Sequence, residues 1–205
     1  MEFRYIAGPS ELFTIFFIMV GPLGHLAQFA KVTREMTQEQ INTLAFKSLI
    51  IIVPVIVVLG LLGKELMLKW HIPPPVLGLT AGIIFALVAF KILLSSDAET
   101  ETAGTHQAEV SPLTVALKML INPHSVGALI VLLALSHDWD RTVLVLSLFV
   151  ANLILDALAL KYIRILMGRV GKVVMLILGS VLGVLQAALA LTIIHASLMM
   201  IAQRG

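Results

Sequence analysis

The chain has 205 residues, 59% hydrophobic and 13% charged, with a formal net charge of +2 and a mean hydropathy of +1.02. A water-soluble domain carries about 45–50% apolar and about 25% charged residues, so the composition excludes one and indicates a polytopic membrane protein. There is no cysteine, which excludes a disulfide framework and thiolate metal ligation, and the basic residues flank apolar runs instead of forming a nucleic-acid patch.

Crossing roughly 30 Å of hydrocarbon takes about 20 apolar residues in a helix. Six stretches qualify, at about 11–30, 43–63, 75–95, 113–136, 142–161 and 172–201. The first follows a polar start with one basic residue, Arg4, and no small-residue cleavage site precedes the charged stretch Lys31–Glu39. It therefore reads as a retained span and not a signal peptide. Pro22 interrupts this span: it removes a backbone donor, strands the Ile18 carbonyl, and is flanked by Gly21 and Gly24, which permit non-helical backbone. His25 follows three residues later.

Thr37-Gln38-Glu39-Gln40 has the form of a capping box opening the second helix. Pro54, inside that helix, has no counterpart elsewhere and reads as a tolerated kink. The third span holds Gly78-Leu-Thr80-Ala-Gly82, a stripe of small residues of the kind that lets membrane helices approach closely. The only long polar stretch, 95–111, carries Asp97, Glu99, Glu101 and Glu109 and reads as a tether. Ser111 and Pro112 then form an N-cap with proline at the first helical position. In the fourth span Pro123 strands the Met119 carbonyl, with Asn122, His124 and Ser125 at the same depth. Asp156 is the only acid well inside an apolar span, and Asn152 lies one turn before it. Intramembrane carboxylates are rare and often mark ion or proton pathways, although hydration or pairing near Lys161 is the plainer expectation. The sixth span carries Gly179, Ser180, Gly183 and Gln186, whose mid-span amide requires a partner.

One register relates the two halves. A shift of 101 residues lays Ser10–Gly24 on Ser111–Ser125, Pro22 on Pro123, Gly78 on Gly179 and Gly82 on Gly183 without a gap. The chain thus divides into a three-helix repeat (1–94), a polar acidic linker (95–111) and a second three-helix repeat (112–205), forming a single membrane domain. Three spans per repeat make the second inverted relative to the first. The expected fold is all-α, with six transmembrane helices in two inverted repeats and proline-broken helices one and four. Nine of the 14 Lys and Arg residues fall on the connectors after spans one, three and five. By the positive-inside rule those connectors are cytoplasmic and both termini lie outside.

Matched breaks in two inverted repeats point to a transporter's binding site. A half-helix beginning at such a break directs free N–H groups and a positive dipole end at its surroundings, which suits a carboxylate. The candidate substrate site is Gly21, Pro22, Gly24, His25, Asn122, Pro123, His124, Ser125 and Gly127, with Thr80 and Gln186 lining it. Asp156, His25 and His124 are candidate proton-relay groups. No hydrolase, P-loop or dinucleotide-binding signature is present and the loops are too short for a soluble catalytic domain, so neither an enzyme nor a cofactor is expected. The competing classes are a non-transporting structural or regulatory membrane partner, a channel and a drug-efflux protein. A homo-oligomer is compatible with the sequence.

The order of these motifs resembles the MarC family of bacterial inner-membrane proteins, which includes neutral amino-acid transporters of the SnatA type. Gly21-Pro22-Leu23-Gly24 resembles the family's Asn-Pro-Leu-Gly, and Glu35-Met-Thr-Gln-Glu39 its polar turn. Ile72-Pro-Pro-Pro-Val-Leu-Gly-Leu-Thr-Ala-Gly-Ile-Ile84 resembles its entry to span three, Phe90-Lys91-Ile92-Leu93 the basic end of that span, and Pro123 to Gly127 the start of its span-four break. Gly21, Gly78 and Ala128-Leu129 depart from the pattern, and asparagine stands instead at Asn122. The resemblance implies two inverted repeats whose broken helices meet in mid-membrane, a neutral amino acid or similar solute, and a bacterial inner-membrane location. LysE-type exporters, with six spans and a proline-bearing first helix, are a more distant likeness.

Overall fold

A computed structural model describes residues 8–20, 29–30, 32–94, 123–136, 138–166 and 168–203. Among these residues every regular element is helical: α1 (Pro9–Met19), α2 (Gln38–Lys69), α3 (Pro74–Leu94), α4 (Pro123–Ala134), α5 (Trp139–Lys161) and α6 (Arg169–Ala202), with a single turn at Ile163–Leu166. α2, α5 and the Ser180–Ala202 part of α6 are long and apolar enough to cross a membrane, whereas α1, Pro74–Phe90 and Ser125–Ala134 are shorter apolar helices. The 95–111 linker and the Ser111 cap lie outside the described residues.

Local chemistry sets the helix ends. At the start of α2 the Thr37 hydroxyl accepts from the Gln40 N–H at 3.3 Å, and the Gln40 side chain accepts from the Thr37 N–H at 2.7 Å. These reciprocal bonds satisfy two donors that the first turn would otherwise strand. Asp138 caps α5 by accepting from the Arg141 N–H at 2.9 Å. α1 opens on Pro9 and closes at Met19, with the Val20 N–H on the Phe16 carbonyl, just ahead of Gly21-Pro22. α2 is longer than the sequence suggests. Its 32 residues span about 48 Å, and it continues through Pro54, whose ring lies on the exposed face.

α3 and α6 pack against each other more extensively than any other described pair, and α2 packs on both α4 and α5. α1 lies against α5, and α4 also touches α3. The core gathers Leu12, Phe16, Ile52, Leu129, Phe149 and Leu153, with Phe16 edge-on to Phe149 at 5.0 Å. Glycines allow two close approaches. A Cβ on Gly82 would sit 2.6 Å from Ile194 Cγ1 and 3.2 Å from the Ala190 carbonyl, and one on Gly63 would sit 2.6 Å from Ile130. Ile50, Leu62, Leu87, Ile177 and Leu191 point outward. Such a surface is costly in water and neutral against lipid tails.

Side chains tie α2 to α5 at both ends. At one end Gln38 Nε2 donates to the Lys161 carbonyl at 2.8 Å and Arg164 donates to the Met36 carbonyl. At the other end Lys64 Nζ donates to Thr142 Oγ1 at 2.6 Å. The α1–α2 and α5–α6 connectors therefore share one end of the molecule, and the α2–α3 and α4–α5 turns share the other. Trp70 and Trp139 both lie at this second end, largely exposed.

Candidate functional site

The inward face of α5 carries the most polar chemistry of the described interior. Thr142, Val145, Phe149, Asn152, Leu153 and Asp156 recur at helical spacing and are all buried. Asn152 and Asp156 are both at 0% exposure, so Asp156 is not a hydrated carboxylate at a helix end. The Lys161 ammonium, its expected neighbour, rests 5.3 Å from the Tyr162 ring. Asn152 Nδ2 donates to the Leu148 carbonyl at 2.9 Å, while its Oδ1 meets no donor among the described residues. A buried carboxamide oxygen costs free energy until something donates to it. The α2–α5 end contacts fix an antiparallel register that places buried Ser48 of α2 level with the Asn152–Asp156 turn.

The end of α1 and the first described residue of α4 lie at the same depth. Phe16, one turn before the end of α1, meets Phe149 near the midpoint of α5. α4 runs from Pro123 toward the Lys64–Thr142 end, where Ala134 and Ser136 face the α2–α3 turn. Its 12 described residues cover about 18 Å. Met19 and Pro123 therefore both fall well inside the bundle, around the middle of α5.

Gly21, Pro22, Gly24, His25 and Asn122 lie outside the described residues, and Pro123 and His124 form the first described turn of α4. Ser125 is buried. Gly127 faces α3, where an added Cβ would meet only Ile84 at 3.5 Å. Thr80, expected to line the interior, is exposed and bonds back to the Val76 carbonyl at 2.9 Å. Gly78, Ala81, Gly82 and Phe85 occupy the inward face of α3 and turn Thr80 outward. Ser180 is likewise exposed. Gln186 is buried as expected, and Nε2 donates to the Phe85 carbonyl at 3.0 Å, so the amide ties α6 to α3 and its Oε1 finds no donor among the described residues. Sequence reasoning missed Ser48 and Thr142, because a lone hydroxyl in an apolar run commonly bonds to its own helix. It also missed Gly60 and Gly63, whose three-residue spacing does not form the small-residue stripe that was sought.

A search of the curated proteins and one of the solved structures each returned no match. The family model described as MarC family integral membrane protein matches residues 9–202, nearly the whole chain. With helices long and apolar enough to cross a membrane, the chain belongs to the MarC family of integral membrane proteins.

Proposed function

We propose that this MarC family protein is a secondary transporter of a small amphoteric solute, an amino acid being the leading class, working by alternating access around a site between the two helix breaks. The observation that carries this reading is the fully buried Asn152–Asp156 turn, level with the end of α1 and with Pro123 of α4. A fully buried carboxamide whose oxygen meets no donor among the described residues is expensive in a merely structural bundle, and an interior acid one turn away is a rare feature of a membrane helix. In a carrier the same groups receive an ammonium or hold a coupling proton. The backbone N–H groups following Pro22 and Pro123 receive the carboxylate, Asn122, His124, Ser125 and His25 add polar contacts, and Asp156 relays the proton.

The six-span inverted repeat is part of this proposal, and the described packing supports it. Shifted by 101 residues, five of the seven buried positions of α2, Ile41, Leu44, Ser48, Ile52 and Ile56, fall on buried Thr142, Val145, Phe149, Leu153 and Ala157 of α5. Gly82, Phe85 and Ala89 of α3 fall on Gly183, Gln186 and Ala190 of α6, again all buried. The Gln186–Phe85 hydrogen bond itself joins residues 101 apart, where the two repeats cross. Contacts between α2 and α4 have their counterpart in α5 and α1. We place the protein in a bacterial inner membrane, with the α2–α3 and α4–α5 turns and both termini on the periplasmic side.

The test is uptake and counterflow of labelled amino acids in proteoliposomes, with Asp156→Asn and Asn122→Ala alongside. Saturable flux in the native protein, reduced at least tenfold in both variants, is the expected outcome. Absence of flux for every amino acid, with or without a proton gradient, would favour the non-transporting membrane partner.

A further inference from the structure

A cavity of about 570 Å³ opens at the end of the molecule where the α2–α3 and α4–α5 turns meet. That volume falls within the ~300–1,000 Å³ usual for small-molecule sites. Its walls include Leu61 and Leu77, Trp139 stands at its edge, and its charged groups are Lys64, Glu65 and Asp138.

Lys64 is the informative member. It is half-buried, its Nζ lies 6.0 Å from the centroid of the Trp139 ring, and it donates to Thr142 Oγ1 at 2.6 Å. The Thr142 hydroxyl proton is already committed to the Asp138 carbonyl at 2.9 Å, so the threonine oxygen acts on Lys64 purely as an acceptor. An ammonium has three donors. One is used, and the other two have no acceptor among the described residues. A half-buried cation with spare donors beside an apolar wall suits a carboxylate. The acidic groups offer the opposite sign: Asp138 uses Oδ1 to cap α5, and the Glu65 side chain is exposed.

We infer that this cavity is a capture site for an amphoteric solute with an apolar side chain, distinct from the mid-membrane site. Lys64 receives the carboxylate, Asp138 and Glu65 the ammonium, and Leu61 and Leu77 the side chain. The inference rests on the transport reading for the purpose of capture, but the binding itself does not require flux.

The chain has only two tryptophans, Trp70 and Trp139, so in the full-length Trp70→Phe protein in nanodiscs the tryptophan signal comes from Trp139 in the cavity lining. The probes are L-leucine, N-acetyl-L-leucine (carboxylate only) and L-leucinamide (ammonium only). The expected result is a saturable change with leucine, a weaker one with N-acetyl-leucine, and a response to leucinamide at least tenfold weaker than to leucine. Lys64→Met raises the leucine midpoint at least tenfold, and Lys64→Arg, which keeps the charge, restores most of the binding. An unchanged midpoint in Lys64→Met, or leucinamide binding as well as leucine, would overturn the inference. Leucine binding in a protein that carries no amino-acid flux would remove the transport reading and leave the capture site standing.

Discussion

His71 holds a backbone φ of +53°, a left-handed conformation that costs a residue with a Cβ on the order of 1 kcal/mol. The position follows the α2 cap, and its N–H reaches back to the Leu68 carbonyl at 3.0 Å as in Schellman-type endings, where glycine is the usual occupant. Pro73, Pro74 and Pro75 follow after Ile72, so the chain reverses within the four residues between Lys69 and Pro74. His71→Gly should raise stability by about 0.5–1 kcal/mol, read as a higher melting temperature by circular dichroism in detergent. A lower one would mean that the imidazole makes contacts worth more than the strain. The interior residues were legible to different degrees. Asp156 and Asn152 stand out in any reading because charge and amide are rare within an apolar span. The direction in which Thr80 points was not legible, since a membrane helix is apolar on its outer face as well as its inner one. In α3, Leu87 is exposed and Phe85 buried, and nothing in their chemistry separates them.

At the scale of the helix pair, glycine sets how closely α3 and α6 approach. A methyl at position 82 would meet Ile194 Cγ1 at 2.6 Å, the Ile194 nitrogen at 3.1 Å and the Ala190 carbonyl at 3.2 Å. Two of those three atoms are backbone, so relief requires separating the helices. Gly82→Ala should therefore cost about 1–3 kcal/mol. Gly127→Ala, with only Ile84 at 3.5 Å, should stay within about 0.5 kcal/mol. SDS-titration unfolding of the two variants checks this, and equal midpoints would argue against a tight α3–α6 crossing. Each apolar stretch marked by hydropathy overlaps a described apolar helix, three of which are long enough to cross a membrane. Hydropathy did not give the true extent of α2, whose polar ends Gln38–Asn42 and Lys64–Lys69 continue the helix past the apolar window. The Thr37 capping box marked the first of those ends in the sequence; no comparable signal marked the second.

For the molecule as a whole, the proposed topology makes a direct prediction. The chain has no native cysteine, so single cysteines can be placed without removing others. Trp139→Cys and Met36→Cys should react with a membrane-impermeant maleimide from opposite sides, the first in intact cells and the second only after permeabilisation. Labelling of both from one side would break the alternation of connectors. The even parity in this proposal comes from the six apolar stretches of the sequence. The packing of α3 on α6 was readable only as far as matched glycines, because a register says which residues correspond and not which ones touch. The contact between Phe85 and Gln186 adds a consequence for energetics. Two related positions facing each other across a pseudo-two-fold axis would, if identical, exchange the same bond in both directions. Here Gln186 donates to the Phe85 carbonyl, and phenylalanine has no donor to return to the Gln186 carbonyl. Under the proposed alternating-access reading, the two orientations would therefore be unequal in free energy, and the empty protein would have a preferred resting side.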